Sequence, residues 1–293
     1  MNTFVIGSSG FLGNHLKLKF YEFGTVEIAP SFTLAKRKGF DEWMENLISK
    51  MLAFSPDLVI LAGASQSSND DPEAIKEIIF SNCLIPCRIA EAMISHLPKS
   101  YLVSFGSSWQ YADSETYRPF NLYAASKQAS LDLLEHYSLR GLHILYLILF
   151  DTYGEGDSRK KLLNILIDAA LNGTQIDTTY GEQEIDLVHI NDICQGVVNA
   201  INELHDWDPM KGVLVRGLGS GNPITIKELI NRVSQKYCTS IKANIGGRPY
   251  RSREIMKTYK KFIKPKNWFP KINEYNKELE MKNLGFENEA PKS

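Results

Sequence analysis

Cysteine is scarce. The chain has four in 293 residues, Cys83, Cys87, Cys194 and Cys238, too few and too scattered for a disulfide framework and matching no zinc-ligand spacing. All four read as reduced core thiols, with Cys83 and Cys87 one helical turn apart on a buried face, and no metal site is expected. Long apolar runs are also missing. The longest, Ile144 to Phe150, falls far short of the roughly 20 residues that span a bilayer. No basic stretch and apolar segment precede the first apolar run, Thr3 to Ile6, so no signal peptide is expected and a cytoplasmic protein is. Net charge is nearly absent too, at −1 from 33 basic and 34 acidic residues. That gives no global attraction to nucleic acid or to an anionic membrane, and neither is expected as a partner. One stretch departs from this balance. Between Arg248 and Lys266 lie Arg248, Arg251, Arg253, Lys257, Lys260, Lys261, Lys264 and Lys266 against Glu254 alone, either a solvated face or a site for an anionic ligand.

What the chain does have is size and rhythm. With 43% apolar residues it can bury one large core, or a core and a smaller lobe, without covalent staples. Short apolar runs at Thr3–Ile6, Val26–Ala29, Leu58–Ala62, Tyr101–Phe105 and Ile144–Phe150 alternate with amphipathic segments. This is the βαβ pattern of a parallel, doubly wound α/β sheet with helices on both faces. After Gly154 the rhythm changes: a helix is expected near Lys161–Asn172, short strands at Gln175–Thr179 and Ile185–Ile190, and a helix from Asp192. Beyond Trp207 come Gly217, Gly219, Gly221 and Pro223, then a helix start at Thr225-Ile226-Lys227-Glu228 with capping-box spacing. The expected division is a dinucleotide-binding domain over 1–155, onto which 183–204 packs back, and a mainly substrate-binding lobe over 156–293.

Gly7-Ser8-Ser9-Gly10-Phe11-Leu12-Gly13 follows the first strand and opens the first helix. Glycines in that context let a turn close tightly and let a pyrophosphate approach backbone N–H groups at the positive helix end. The reading is a Rossmann-type cofactor turn. The carboxylate that usually ends the second strand and bonds an adenosine ribose is absent from Val26-Glu27-Ile28-Ala29-Pro30-Ser31. Lys36, Arg37 and Lys38 follow and either pair with a 2′-phosphate or simply solvate a loop; the first reading favours NADP(H) over NAD(H), with Arg37 as the contact.

In Asn121-Leu122-Tyr123-Ala124-Ala125-Ser126-Lys127 the tyrosine and lysine stand four apart, on one face of a helix. A phenol with a pKa near 10 exchanges protons poorly near neutrality unless a cation stabilises its phenolate. Lys127 is that cation, and also a candidate to hold the nicotinamide ribose while Tyr123 exchanges a proton with a carbonyl or alcohol oxygen. Ser104-Phe105-Gly106-Ser107-Ser108-Trp109-Gln110-Tyr111 ends the fourth core strand, where open α/β sheets place their ligands.

These motifs, in this order, resemble the extended short-chain dehydrogenases that act on nucleotide sugars. The likeness extends to Leu61-Ala62-Gly63-Ala64, to Asn82, to Asp151-Thr152-Tyr153-Gly154 and to His189-Ile190-Asn191-Asp192. It implies Ser107, Tyr123 and Lys127 as catalytic groups, and Leu61, Ala62, Gly63 and Asn82 beside the cofactor, Asn82 in a supporting role. His189 ends a strand before a helix cap, a place where histidine is more often structural than catalytic. Ser108 and Trp109 fill the positions where dehydratases of the family carry an acid pair, so a 4,6-dehydratase is not expected. Gly106 to Gln110, Asn121 to Gln128, Leu149 to Gly154 with Asp157 to Lys161, and Gly247 to Arg251 with Glu254 to Met256 narrow the resemblance to the CDP-abequose and CDP-paratose synthase branch. That branch reduces the 4-keto group of a nucleotide-linked deoxysugar. Two family arginines are missing, replaced by Ile148 and Ile185. A nucleotide-diphosphate sugar therefore needs other cations, and Arg159, Lys160, Lys161, Arg248 and Arg251 are the candidates, with Ser108 and Trp109 at the sugar.

The expectation is reduction of a 4-keto-6-deoxysugar. The alternatives are an NAD-retaining 4-epimerase using the same triad and a catalytically inactive nucleotide-binding protein of the same fold. A homodimer is expected from the resemblance. Leu131, Leu134 and Tyr137 with Ile89 and Met93 form an apolar face that suits either the dimer or the core.

Overall fold

The computed structural model describes residues 1–31, 39–66 and 71–271. Six parallel strands form the central sheet: β1 (Thr3–Ile6), β2 (Val26–Ile28), β3 (Leu58–Leu61), β4 (Tyr101–Ser107), β5 (His143–Leu149) and β10 (Leu214–Leu218). They lie in the order β10-β5-β4-β3-β1-β2, with the order reversing beside β1, where such sheets bind their ligands. A parallel strand is covered on both faces and so reads as continuous apolar sequence. Alternate side chains feed two cores. Phe4, Val59, Leu61, Tyr146 and Ile148 enter one, Val5, Leu58, Ile60, Leu145 and Leu147 the other.

Helices α1 (Phe11–Phe20), α2 (Phe40–Phe54), α3 (Pro72–Ile79), α4 (Ile85–His96) and α5 (Leu122–Ser138) connect these strands, with a π-helical turn, Phe80–Leu84, joining α3 to α4. The continuous segment Pro72–His96 is long and apolar enough to cross a membrane by length and composition. Here its Ile78, Ile89 and Met93 are fully buried. Ile89, Met93 and Leu134 belong to the first core, with Leu131 and Tyr137 packed against it. The face that suited either a dimer or the core is thus used by the core.

A third cluster builds the lobe, from α6 (Leu162–Asn172) and α8 (Ile226–Lys236). Thr225 Oγ1 accepts from Glu228 N at 3.1 Å to start α8, and β7 (Ile176–Thr178) pairs in parallel with β12 (Ala243–Ile245). The strand expected over Ile185–Ile190 is two. β8 (Glu184–Ile185) pairs antiparallel with β11 (Ile224–Thr225), while β9 (Leu187–His189) pairs in parallel with β6 (Asp151–Tyr153). Asp186 causes the break, because its buried carboxylate accepts from Ser220 N (3.0 Å) and Gly221 N (3.1 Å). The following helix, α7 (Ile190–His205), starts two residues earlier than expected.

The sixth strand is also a correction. Leu214–Leu218 lies beyond residue 155 in a stretch marked by glycines, yet it pairs with β5. Gly217 and Gly219 are required there because any Cβ would meet Phe262 at 2.3 and 2.6 Å. The chain then returns to the sheet after the lobe: Trp268 is buried against the second core and donates its Nε1 to Asp192 O at 2.8 Å. Cys83 and Cys194 are buried, Cys87 is half-buried, and Cys238 at the end of α8 is exposed, so it is not a core thiol. Replacing Trp268 by alanine should lower the unfolding free energy by about 3–5 kcal/mol, measured by urea denaturation. A loss below about 1 kcal/mol would show that this return segment contributes little to the fold.

Candidate active site

The glycine turn lies at the C-terminal ends of β1 and β3. Gly7 has φ +87°, and a Cβ on it would sit 2.3 Å from Gly63 N; one on Gly13 would sit 2.1 Å from Gly7 O. Gly10 N donates to Gly7 O at 3.0 Å and closes the turn. Gly10 also caps α1 with no side-chain acceptor, which leaves the first N–H groups, those of Phe11, Leu12 and Gly13, for an anion. Ser9 and Gly10 are exposed while Leu61 is buried and Ala62 half-buried. A dinucleotide pyrophosphate fits this cradle, which any side chain at Gly7 or Gly13 would fill. Arg37, the expected 2′-phosphate contact, lies outside the described residues. Sequence reasoning missed Lys50, which reaches from α2 to Ile28 O at 3.0 Å and to Glu27 at 2.8 Å, at the end of β2. Only the pairing of α2 with β2 reveals it.

Helix α5 presents Tyr123 and Lys127. Asn121 Oδ1 caps it by accepting from Ala124 N (2.9 Å), which fixes where its first turn begins. The Lys127 Nζ lies 5.9 Å from the centroid of the Tyr123 ring. Burial lowers the Lys127 pKa from 10.5 to about 8, and burial raises that of Tyr123 to about 12, against the opposing effects of Gln66 and the Arg159 charge. Near neutrality the phenol therefore carries its proton and the ammonium its charge. Gln66 Nε2 reaches Tyr123 OH at 3.4 Å; it was not foreseen, since it follows β3 as one polar residue among several.

Three sets of contacts hold α5 in place. Tyr146, on β5, donates its hydroxyl to Lys127 O at 2.6 Å. From the π turn, Asn82 Nδ2 donates to Ser126 Oγ (2.9 Å) and Ser65 O (3.1 Å), and its Oδ1 accepts from Ser65 N (3.2 Å). Asn82 is buried and its amide is engaged by these partners, which tie the π turn and Ser65 to α5. Third, the turn after β4 is tied to the helix. Ser107 N donates to Gln110 Oε1 (2.9 Å), and Gln110 Nε2 donates to Gln128 Oε1 (2.9 Å). Gly106 makes room for this, since a Cβ would lie 2.4 Å from both Gln110 Oε1 and the Tyr146 ring. Ser107 Oγ accepts from Trp109 N at 3.3 Å, which aims its own proton elsewhere. Ser108 is buried, and Trp109 packs edge-on against Phe120 at 5.3 Å.

Of the expected anion contacts, Arg159 lies over the glycine turn. It pairs with the buried carboxylate of Asp157 through two bonds (2.6 and 2.8 Å), bonds Thr152, and lies 4.5 Å from the Phe11 ring centroid, over the glycine turn. Lys161 reaches Thr152 O at 3.4 Å, while Lys160 is exposed. Arg248 and Arg251 are exposed, and their backbone N–H groups bond Thr178 O (3.0 Å) and Glu254 Oε2 (3.2 Å). His189 caps α7, its Nδ1 accepting from Asn191 N (3.2 Å), and burial lowers its pKa to about 4; it is a neutral structural group. A cavity of about 460 Å³ opens beside the lobe, lined by residues that include Tyr153, Ile185, Leu187, Asn222, Arg232 and Lys260.

A phosphate cradle at the sheet's switch point, with a Tyr–Lys pair and a serine at the neighbouring strand ends, defines a nicotinamide-dinucleotide oxidoreductase of Rossmann type. The chain belongs to the NAD dependent epimerase/dehydratase family, whose model matches residues 3–211. It is 26% identical over 267 residues to the CDP-abequose synthase of Yersinia pseudotuberculosis, covering 87% of this chain and 91% of that one. The CDP-abequose synthase of Salmonella muenchen is 24% identical over 259 residues, 86% of each chain. Among solved structures, the UDP-glucose 4-epimerase of Thermus thermophilus in complex with NAD superposes with a TM-score of 0.73. That match covers 92% of this chain and 94% of that one at 18% identity, a likeness of fold.

Because burial depresses the Lys127 pKa to about 8, its charge is present below that pH and lost above it. Turnover should therefore fall as pH rises through about 8, and Lys127→Arg, whose guanidinium stays charged, should remove that limb. A rate profile flat from about pH 7 to 9 would contradict the role given to the ammonium.

Proposed function

We propose that the protein reduces the 4-keto group of a nucleotide-linked 6-deoxysugar, with NADPH favoured over NADH. The observation that carries this reading is the placement of Tyr123 and the buried Lys127 on one face of α5, Nζ 5.9 Å from the phenol ring, with no carboxyl group at Ser108 or Trp109. This is the equipment for adding a proton to a carbonyl oxygen and not for eliminating water. A bound reduced nicotinamide supplies the hydride. The chain does the rest. Ser107 holds the keto oxygen by a hydrogen bond, Tyr123 gives it a proton, and Lys127 stabilises the phenolate left behind. The two relatives named CDP-abequose synthase, matched over most of both chains, support a nucleotide sugar as substrate.

The nucleotide part is assigned to the cavity at Tyr153, Ile185 and Ile224, where Arg232 and Lys260 supply positive charge, with Arg159 nearer the glycine turn. The absence of a carboxylate after β2, together with Lys50 at its end, supports NADPH. A homodimer stays part of this proposal, through a face other than the one made by Ile89, Met93 and Leu134.

Tyr123→Phe should cut the rate of keto-sugar reduction by roughly 10²–10⁴-fold and leave NADPH affinity within about two-fold, measured by NADPH consumption and fluorescence titration. The panel is the CDP-, GDP-, UDP- and dTDP-linked 4-keto-6-deoxysugars. Most of the activity surviving in the variant would refute the assignment. NAD that copurifies with the protein, with turnover needing no added reductant, would identify an epimerase instead.

A further inference from the structure

Residues within the basic run at Arg248–Lys266 contact the loop that follows Ser107. After the lobe, the chain crosses from β8 to the sheet edge. Glu184 fixes its start by accepting from Thr258 N (3.1 Å) and pairing with Lys260 (3.3 Å). Then three contacts reach the loop that follows Ser107. The Tyr259 ring stacks on Tyr111, centroids 4.0 Å apart and planes 10° from parallel. Lys261 pairs with Glu115 at 2.5 Å, and Arg253 Nη2 donates to Pro119 O at 2.7 Å.

The far end is anchored as firmly. Tyr259 packs on Phe262 (6.3 Å), and Phe262 on Phe150 (4.7 Å) at the end of β5. Phe262 fills the space left by Gly217 and Gly219, and Ile263 O accepts from Gly217 N at 2.8 Å. The result is a ladder of four aromatic rings from the catalytic turn to the tip of a central strand. Stacked rings resist sliding and hold their partner's backbone at a set height. Within the loop, Arg118 N bonds Gln110 O, Phe120 N bonds Trp109 O, Ser114 N bonds Tyr111 O and Arg118 pairs with Asp113 at 3.6 Å; these close the loop on itself, and the three contacts above join it to 253–264.

We propose that residues 253–264 are a strap that sets the position of the Ser107–Tyr111 turn, and that Tyr259 is its positioning residue. Tyr259 acts on the reaction only through Tyr111 and the turn. The charges at Arg253 and Lys261 serve as ties in the same strap. The inference rests on the assignment of Ser107 to the reacting oxygen, because a turn held a fraction of an ångström out of place costs rate and not cofactor binding.

Hydrogen exchange followed by mass spectrometry on the full-length protein tests this without a substrate. Tyr259→Ala should speed exchange in residues 108–121 by about ten-fold, while the strands β1 and β3 keep their protection. In the reduction assay kcat should fall by about ten-fold with the KM for NADPH unchanged, and Tyr259→Phe, which keeps the stack, should restore both. The pair Arg253→Ala with Lys261→Ala cuts ties on the exposed side and should loosen the same residues if Tyr259→Ala fails to fold. Unchanged exchange in 108–121 in a folded variant overturns the proposal, as does protection lost evenly across the protein. If the loop loosens but the wild type reduces no keto sugar, the strap stands and the reductase reading falls. A wild-type kcat in folded Tyr259→Ala removes the strap and leaves that reading intact.

Discussion

The Lys127 ammonium, held almost entirely out of water, is the constraint around which the site is arranged. Lowering its pKa from 10.5 to about 8 corresponds to an unfavourable contribution of about 3 kcal/mol at neutral pH, at 1.36 kcal/mol per unit. Because burial disfavours the charged form, this cost applies in full below about pH 8 and fades as pH rises towards the unfolded value. A helix carrying such a group would gain by rotating it into solvent. It cannot, because Tyr146 holds Lys127 O, Asn82 holds Ser126, and Gln110 holds Gln128. These are three successive residues of one helical turn, each engaged from a different element. The same rotation would swing Tyr123, four residues away, off its place beside Gln66. Stability spent on the lysine therefore becomes geometric precision at the phenol.

Much of this arrangement was legible in the sequence where the constraint is local. The glycine turn was, because contacts of 2.1–2.3 Å to any Cβ leave no alternative residue at Gly7 or Gly13. The interior strands β1, β3 and β5 were, because burial on both faces forces largely apolar runs, whereas β2, an edge strand with Glu27 between Val26 and Ile28, was legible from its place in the βαβ rhythm. What was not legible depends on partners distant in sequence. β10, at the edge of the sheet, contains Arg216 and Gly217, poor signs of a strand. Yet Arg216 is neutralised by Glu203 of α7 at 2.7 Å, and Gly217 is explained only by Phe262, which arrives from the far side of the lobe. Asp186 reads as one polar residue within an apolar run, and only the loop at Ser220 and Gly221 explains why the chain changes sheets there. For the same reason Gln66 and Lys50, each an ordinary polar residue in its own neighbourhood, gave no signal.

The two missing arginines are best understood as a change in how positive charge reaches the cleft. Ile148 is buried in the first core within β5 and Ile185 lines the lobe cavity, so neither position offers a cation. The cations near the cleft instead sit in pairs with carboxylates, Arg159 with Asp157, Lys260 with Glu184 and Arg232 with Glu228. Such pairing holds a long side chain in one rotamer before any ligand arrives, which lowers the ordering cost of binding, but it also cancels much of the net charge. On the proposed reading, a nucleotide diphosphate would then be selected less by overall attraction than by the fit of a few fixed donors. The balanced charge of the whole chain, 33 basic against 34 acidic residues, is consistent with recognition of that kind. It also separates the roles of the cations. Those at Arg253 and Lys261 are consumed in holding the catalytic turn, and those at Arg159, Arg232 and Lys260 remain beside the space a substrate would enter.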